Sequence, residues 1–569
     1  MTQNDTKISA RAVAVSAAVF AISAVVLATS PLRGQSKSDL SLAPISGERM
    51  LSDIRALSSD EFQGRGPGTK GEELTIAYVE KQFREAGLEP GNPDGRYLQS
   101  VPLAGITPNS NMELTFAGHD TTKHLAFQKD YVAWTKRTVA SVSLDADMIF
   151  VGYGVQAPEY AWDDFKGVDV KGKVLVVLIN DPPVKKGGEL DPSVFGGKAM
   201  TYYGRWTYKF EKATELGAAG CIIVHETERA GYPWTVVRGS WSGEQFTLLP
   251  VKNSAQPVPV EAWITHEAAQ SLFRTAGYDF ETLKEKAASR NFHPVPLGMR
   301  AQIEIHNQVR QIQSHNVIAK LPGSDPALKN EYVIYSAHWD HFGIGPEVNG
   351  QTIYHGALDN ASGSAALLEL GRAFASLKTR PKRSILFLSV TAEEQGLLGS
   401  AYYAEHPLYP LARTVADINM DGMNVLGKTR DITEIGMGQS TLDEVVASVA
   451  GEQDRVVRGD PEPEKGFYYR SDHFSFAEAG VPAFDPDGGI DYVGKPAGWG
   501  MKMRDQYTAE DYHKPSDVIK PYWDMSGDVE DCQLYLAVGY RVANSSTIPQ
   551  WQPKSEFKAV RERSLAGGR

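Results

Sequence analysis

The sequence predicts an α/β protein in which a mixed, mostly parallel sheet carries helices on both faces, with an inserted β-rich segment. Apolar runs at residues 333–337, 384–390 and 415–420 are separated by helical periodicity such as that of residues 362–377. Continuous apolar strands that alternate with helices are typical of parallel sheets covered on both faces. Residues 141–292 instead contain short β-rich runs between Gly and Pro turns. They indicate a separate module.

Composition sets broad limits on function. The 569 residues are 42% hydrophobic and 22% charged, which is typical of a chain that buries a large core. The formal net charge of −12 argues against a nucleic-acid partner bound through a broad basic face. Cys221 and Cys532 are the two cysteines, too few for a disulfide-rich scaffold or a thiolate zinc site, and the sequence leaves open whether they pair.

Residues 1–30 are predicted to be an export signal. Lys7 and Arg11 precede an apolar run at residues 12–28, and small residues follow at Ala28 and Ser30. The alternative is an uncleaved membrane anchor, although the run is short for a membrane span and rich in alanine. We therefore expect an exported protein, periplasmic or secreted, that has no stable membrane association once the signal is cleaved.

The predicted domains follow from these changes in pattern. Residues 31–140 form the N-terminal part of the main domain and begin with two helices separated by a glycine-punctuated loop. The insert occupies residues 141–295, with short strands and one helix at residues 208–216. Residues 296–569 form the main part of the α/β domain, which a helix at residues 529–543 closes.

Polar turns with acidic or histidine residues follow the predicted strands of the main domain, and a further such turn lies in a later loop. The residues are His338-Trp-Asp340-His341, Asp359, Glu393-Glu394, Asp421 and, within Arg470-Ser-Asp-His473, a second histidine. In open α/β sheets the binding crevice lies beyond the carboxyl ends of the strands, so these turns are expected to meet. Clustered carboxylates need a strong cation, and mixed N/O ligation without thiolate suits zinc, manganese or cobalt.

Each turn alone has an ordinary explanation. Asp359 is typical of a helix N-cap, Glu393-Glu394 of a solvated strand end, and Asp421 of a turn. Together, in this order, they predict a pair of metal ions that share a water molecule. Adjacent glutamates point to opposite sides of an extended segment, so one can bind metal while the other acts as general base.

These motifs resemble those of the co-catalytic zinc aminopeptidases of family M28. The motifs are His338-x-Asp340, Gly356-Ala-x-Asp359-Asn-x-Ser-Gly363, Glu393-Glu394, Asp421 and Ser471-Asp-His473. The resemblance implies a phosphorylase/hydrolase-like fold over residues 46–140 and 311–544. The insert resembles a protease-associated (PA) domain, through Gly152-Tyr-Gly154 and Gly217-Ala-Ala-Gly-Cys-Ile-Ile-Val.

The resemblance also implies a ligand set for two Zn²⁺ ions, for which Co²⁺ or Mn²⁺ can substitute. Asp359 would bridge the two ions. His338 and Asp421 would complete one site, and Glu394 and His473 the other.

Further roles follow from the same resemblance. Glu393 would be the general base, and Asp340 would orient the His338 ring. The candidates for contact with substrate or for stabilising an oxyanion are Tyr468, Tyr469 and Arg470. His341 is interpreted as a residue of local packing or hydrogen bonding, and the tail motif Tyr512-His513-Lys-Pro-Ser-Asp517 as structural.

The predicted function is that of a metal-dependent aminopeptidase acting on peptides, with Glu393 assisting a di-zinc-activated water. A carboxypeptidase or dipeptidase on the same fold is the nearest alternative, and a cyclotransferase is a more distant one. A non-catalytic, receptor-like peptide-binding protein is the alternative from a different class, and metal content would separate it from an enzyme.

Overall fold

The computed structural model describes residues 43–249 and 256–567. The predicted export signal at residues 1–30 lies outside the described residues. Within the described part of the chain, no helix combines the length and the apolar character that crossing a membrane would require.

Helices and strands alternate along most of the chain. The helices are α1 (Gly47–Leu57), α2 (Lys70–Glu85), α3 (Trp206–Glu215), α4 (Thr227–Ala230), α5 (Trp234–Trp241), α6 (His266–Thr275), α7 (Phe280–Ala287), α8 (Gly363–Ser376), α9 (Leu398–Glu405), α10 (Leu442–Glu452), α11 (His473–Glu478), α12 (Trp499–Glu510), α13 (Ser526–Asn544) and α14 (Lys558–Gly567). The strands are β1 (Glu89–Pro90), β2 (Leu98–Pro108), β3 (Leu114–Gly118), β4 (Thr121–Leu125), β5 (Tyr131–Trp134), β6 (Ser141–Phe150), β7 (Gln156–Ala157), β8 (Trp162–Asp163), β9 (Val174–Leu178), β10 (Lys185–Lys186), β11 (Glu189–Leu190), β12 (Gly220–Val224), β13 (Gln245–Leu248), β14 (Glu261–Ile264), β15 (Val295–Leu321), β16 (Tyr332–His338), β17 (Gly343–Val348), β18 (Gln351–Tyr354), β19 (Ser384–Val390), β20 (Thr414–Asn419), β21 (Asp431–Ile435), β22 (Val456–Gly459) and β23 (Ala483–Asp487).

The main sheet has a parallel centre with mainly antiparallel flanks. Its strand order is β13–β2–β15–β19–β16–β20–β23–β21–β22. The central strands β19, β16, β20 and β23 run parallel. Strands β16, β19 and β20 are buried along their whole length, as expected for strands covered on both faces. The predicted mixed α/β fold is therefore confirmed.

Helices cover both faces of this sheet. Helices α1, α2, α8, α10 and α13 contribute to the larger core, in which Val333 and Tyr335 of β16 also lie. Helices α9 and α11 bury Tyr403 and Phe476 against Ile334 on the opposite face. Alternate residues of β16 thus face opposite cores, as the two-residue period of a strand requires.

A second sheet forms the insert, with strand order β4–β3–β15–β6–β9–β12–β14–β5. Strands β6, β9, β12 and β14 run parallel, and helices including α3, α6 and α7 pack against the sheet. The sequence pattern predicted one helix in this segment; the structure adds α4 to α7. Strand β15 is 27 residues long and belongs to both sheets.

The second sheet extends beyond the limits expected for the insert at residues 141 and 295. Strands β3 to β5 precede residue 141 but pair within the second sheet, and β15 stays paired with β6 as far as His306. Conversely, strand β13 lies within the residue range expected for the insert, but it pairs with β2 of the main sheet. The insert is thus joined to the main domain by continuous hydrogen-bonded strands.

Candidate metal centre and active site

The polar turns predicted from the sequence lie at the carboxyl end of the central strands. His338 is the last residue of β16, and Asp421 follows the end of β20 by two residues. The short helical turn Glu393–Gln395 follows β19, and Asp359 lies in the irregular turn that leads into α8. Parallel strands deliver their carboxyl ends to one edge, which brings these four turns together.

Asp359 lies between two histidines. Its Oδ1 is 3.4 Å from Nε2 of His338, and its Oδ2 is 3.3 Å from Nε2 of His513. On the first side Asp421 Oδ1 lies 3.2 Å from the same His338 nitrogen. On the second side Glu394 Oε2 lies 3.1 Å from His513 Nε2. Two sets of N/O donors therefore share one carboxylate.

The donor spacing fits a divalent metal on each side of Asp359. Ligand atoms about 2.0–2.1 Å from a tetrahedral zinc lie roughly 3.3 Å from one another. His338, Asp359 and Glu394 each offer one ligand atom, a ring nitrogen and two carboxylate oxygens, and these three atoms lie within 4.8 Å of one another. The three residues therefore form a candidate metal-binding group. The set contains imidazole and carboxylate but no thiolate, as zinc, cobalt and manganese accept.

Opposite charges hold this cluster together. Burial opposes a charged imidazole, but Asp421 and Glu393 outweigh it and hold the pKa of His338 well above its usual range. Burial also lowers the pKa of His513, but Glu394 and Asp359 outweigh it and raise that pKa to about 9. Burial would raise the pKa of Asp359, yet hydrogen bonds with the two histidines hold it well below its usual value. Metal binding would displace the histidine protons and replace their charge.

Asp340 connects His338 with Glu393. Its backbone carbonyl is 3.2 Å from Nδ1 of His338, and its carboxylate Oδ1 accepts a hydrogen bond of 3.1 Å from the backbone N–H of Glu393. Asp340 is fully buried, and burial raises the pKa of its carboxyl to about 8. Asp340 thus positions the imidazole through its backbone carbonyl and the neighbouring glutamate through its carboxylate.

Glu393 lies at the edge of the cluster. Its Oε2 is 3.8 Å from Nε2 of His338, and the residue is 8% exposed. Burial, followed by the charges of nearby carboxylates, holds its pKa well above the usual range, although His338 opposes this. Asp421 and Glu394 contribute to that repulsion. A glutamate with a raised pKa next to a donor cluster is suited to accept and return a proton.

The structure places His473 apart from this cluster. Its Nδ1 is 3.3 Å from Oδ2 of Asp485, and its ring packs against Tyr468 with centroids 5.0 Å apart. Within the described residues it has no ion pair with Asp359 or Glu394. The place beside these two carboxylates is taken by His513, from the tail motif that sequence analysis interpreted as structural.

The three candidates for substrate contact differ in position. Tyr468 is buried in an aromatic cluster with Tyr469 and Phe557. The hydroxyl of Tyr469 lies 3.4 Å from Oε1 of Glu556, and its side chain also borders a cavity at the centre. Arg470 borders the same cavity, donates to the carbonyl of Ala230, and forms no ion pair with Asp472 in the described structure.

Arg65, to which the sequence analysis gave no role, holds two of the turns that form the centre. Arg65 is fully buried and donates to the carbonyl oxygens of Leu57, Trp339, His355 and Gly356. It thereby ties the turn after His338 to the turn before Asp359. The glycine-punctuated loop that contains Arg65 was visible in the sequence, but the long-range partners were not.

Two other positions hold the Asp359 turn. Asp517 accepts hydrogen bonds of 3.0 Å from the backbone N–H groups of Leu358 and Asp359. Gly356 has φ of 56°, and a Cβ there would lie 2.3 Å from the carbonyl oxygen of Asp359. Only glycine fits this position.

His341 contacts the centre through a hydrogen bond, one of the two roles expected from the sequence. Its Nδ1 lies 2.5 Å from Oε1 of Glu394, whose other oxygen faces His513. His513 and His341 oppose the effect of burial and lower the pKa of Glu394 to about 2. The glutamate is thus held from two sides.

Two cavities meet at the centre. The first, of about 270 Å³, borders Asp421 and contains the acidic residues Asp485 and Asp487. The second, of about 280 Å³, borders Glu394 and lies between the main domain and the insert. Glu393, Tyr512 and His513 border both. A chain lying across the cluster would therefore have a cavity on each side.

Comparison with known proteins agrees with this fold. Residues 316–537 match the model of Peptidase family M28. Over these residues the predicted resemblance to family M28 is confirmed. This range includes every proposed ligand and the proposed base.

Individual proteins are similar over different lengths. Aminopeptidase NAALADL1 of Mus musculus is 39% identical over 131 residues, 22% of this chain and 16% of that protein. Probable glutamate carboxypeptidase AMP1 of Arabidopsis thaliana is 26% identical over 471 residues, 75% of this chain and 59% of that protein. The chain thus spans less than two thirds of these relatives.

A solved structure shares the fold. The aminopeptidase from Aneurinibacillus sp. strain AM-1 superposes with a TM-score of 0.51 over 91% of this chain and 96% of that one, at 19% sequence identity.

Proposed function

We propose that this protein is an exported metallo-aminopeptidase that uses two zinc ions, for which cobalt or manganese can substitute. The observation that carries the proposal is Asp359 lying between His338 and His513, with Asp421 and Glu394 completing the two donor sets. The matched family M28 domain and the similarity to proteins named aminopeptidases support the choice of reaction. His513 replaces His473 in the proposed ligand set.

His338, Asp359 and Asp421 would hold one ion, and Asp359, Glu394 and His513 would hold the other. When bound, such ions polarise a carbonyl group and lower the pKa of water. The remaining chemistry belongs to the protein. Glu393 removes a proton from the attacking water and returns it to the leaving amine.

Tyr512 is the proposed donor to the developing oxyanion. It borders both cavities beside Glu393 and His513, and its hydroxyl has no hydrogen-bond partner in the described residues. Burial, followed by the charges of Asp359 and Glu394, holds its pKa well above the usual range, so the hydroxyl keeps its proton. Tyr468 is enclosed in its aromatic cluster and is less suited to this role.

The first cavity is proposed to receive the N-terminal residue. The Asp421 carboxylate suits a free ammonium group, whereas Ile490 and Met503 offer apolar contact to its side chain. The insert, which we propose to be a PA-like domain, closes the other cavity and restricts access to short or unstructured peptides.

Matched substrates test the proposal. Purified protein loaded with zinc, cobalt or manganese is given leucyl peptides with the N-terminal amine free or acetylated. We expect chelator-sensitive release of leucine from the free amine only. Hydrolysis of acetylated peptides with a free C-terminus would instead indicate a carboxypeptidase. Zinc binding without hydrolysis of any peptide would refute the enzymatic proposal.

A further inference from the structure

The second cavity contains a buried cation that has no counter-ion among the residues that the structure describes. Arg205 lies between the turn Tyr202–Gly204 and α3, is 8% exposed, and borders the cavity together with Glu394 and His513. In the described residues its guanidinium forms neither a hydrogen bond nor an ion pair, and its fully buried Nε has no partner. Cζ lies 5.9 Å from the ring centroid of Trp206.

A second guanidinium, that of Arg470, borders the same cavity from the main domain. Its Nη2 donates to the carbonyl of Ala230 at 2.8 Å, and its Cζ lies 5.0 Å from the ring centroid of Tyr232. Its buried Nε also has no partner in the described residues. Contacts with the insert therefore fix the position of Arg470 and leave part of its donor capacity unused.

Two like charges near each other in a partly dry cavity are unfavourable. Burial lowers the pKa of Arg205 to about 10, and the charge of Arg470 contributes in the same direction. The Arg205 side chain nevertheless remains protonated at neutral pH. An unpaired buried charge destabilises a folded protein unless a partner arrives to neutralise it.

The acidic groups of this cavity do not neutralise the arginines. The carboxylate of Glu211 accepts a hydrogen bond of 2.8 Å from the hydroxyl of Tyr202. Burial, followed by the charge of Glu211, raises the pKa of Glu478 to about 7, so that this group is only partly ionised at neutral pH. Neither glutamate forms an ion pair with Arg205 or Arg470 in the part of the chain that the structure describes.

We propose that Arg205 and Arg470 bind a carboxylate of the substrate residue on the leaving side of the scissile bond. Guanidinium groups recognise carboxylates through paired, charge-assisted hydrogen bonds. The first cavity borders the Asp421 side of the proposed metal centre, and the second cavity, which Arg205 also borders, lies on the Glu394 side. A short zwitterionic peptide, with its ammonium group in the first cavity and its carboxylate in the second, complements both.

This inference rests on the proposed function and narrows it to peptides whose carboxylate is close to the cleaved bond. Two groups supply such a carboxylate: the C-terminus of a dipeptide and the side chain of an acidic residue. Their shared chemistry is a monovalent carboxylate, and substrates can separate them.

The test compares matched substrates on the zinc-loaded full-length protein. Leucyl-glycine is compared with leucyl-glycinamide to test the C-terminus, and leucyl-aspartamide with leucyl-asparaginamide to test the side chain. We expect kcat/KM to favour at least one carboxylate-bearing member by about 10-fold or more, mainly through KM, since hydrogen bonds between a guanidinium and a carboxylate are strengthened by their charges. In Arg205→Met this ratio should fall towards one, and Arg205→Lys should restore it in part.

Arg290→Met is the matched control, because Arg290 is an exposed arginine of the insert that donates to the carbonyl of Tyr160. It should keep the wild-type ratio. The melting temperature of metal-loaded protein gives a second measurement. Arg205→Met should melt at or above the wild-type temperature, since the substitution removes a buried unpaired charge.

The outcomes separate the two proposals. If wild type hydrolyses the amide as well as the acid in both pairs, or if Arg205→Met keeps the wild-type ratio, the carboxylate site is refuted and the aminopeptidase proposal stands. A large drop in melting temperature for Arg205→Met would show that the guanidinium has a structural role instead. If wild type hydrolyses none of the four compounds or any other peptide, the proposed function itself fails.

Discussion

Ser240 of the insert lies 3.0 Å from His513 of the main domain, measured from the hydroxyl Oγ to the imidazole Nδ1. The other ring nitrogen of His513 faces Asp359 and Glu394. A residue of the insert therefore fixes the orientation of a proposed metal ligand, which makes the insert part of the centre as well as its cover.

Ser240→Ala should weaken the binding of one zinc ion by about 10- to 100-fold, because the loss of a hydrogen bond that orients a ligating histidine has effects of that size. Zinc affinity is measured by competition with a chromogenic chelator. Ser242→Ala is the control, since Ser242 lies just beyond the same helix and its hydroxyl donates to the carbonyl of Arg238. Equal affinities for both variants and wild type would contradict the prediction.

His513→Ala should reduce the zinc content from two equivalents to about one and abolish most peptide hydrolysis, because His513 completes one of the two proposed sites. His473→Ala should retain two equivalents, since its ring contacts Asp485 and Tyr468. Metal analysis after gel filtration distinguishes the variants. If His473→Ala lost one zinc equivalent and His513→Ala kept both, His473 would be the ligand.

Glu393→Gln should keep both zinc ions and reduce kcat by about 10²- to 10⁴-fold, since an amide retains the shape of the side chain but cannot accept the proton. Single-turnover hydrolysis of a leucyl peptide and metal analysis of the same sample provide the measurement. Persistent turnover with full metal occupancy would show that another group is the base.

Glu261→Gln should stabilise the protein at pH 8 but not at pH 5. Glu261 lies in β14, is 1% exposed, and its Oε2 has no hydrogen-bond partner in the described residues. Burial raises its pKa to about 7, with Lys136 opposing. A raised carboxyl pKa stabilises the fold below the usual value near 4.5, and that stability is lost as the pH rises through about 7.

The amide mimics the protonated acid, so the difference in unfolding free energy should reach on the order of 2 kcal/mol at pH 8. Melting curves across this pH range measure it, with Glu228→Gln, an exposed position in the insert, as the control. A constant difference between Glu261→Gln and wild type at all pH values would contradict the assigned cause.

The sequence predicted most of the main domain and four of the five proposed ligands, because buried parallel strands have a clear apolar pattern and deliver their carboxyl ends to one edge. Strand β19 begins and ends at the predicted residues. His338, Asp359, Glu394 and Asp421 lie close to such strands or to the helix that follows one. The position of these side chains thus depends mainly on local structure.

The second histidine could not be chosen in this way. His473 and His513 both lie in loops beyond the central strands, and the packing of whole loops decides which one reaches Asp359. The tail motif around His513, with Asp517 four residues later, was the available signal. Ser240 and Arg205 depend on how the insert meets the main domain, a contact that no periodicity in the sequence describes.

The number of residues in the shared strand β15 sets the distance between the insert and the proposed metal centre. It pairs with β6 up to His306 and with β2 from Asn307 onward, without a loop between the two. Adding or deleting one residue there would move the side chains of β15 to the opposite face of one of the two sheets. Length variation near this junction is therefore expected to be far less tolerated than in the surface loops of either domain.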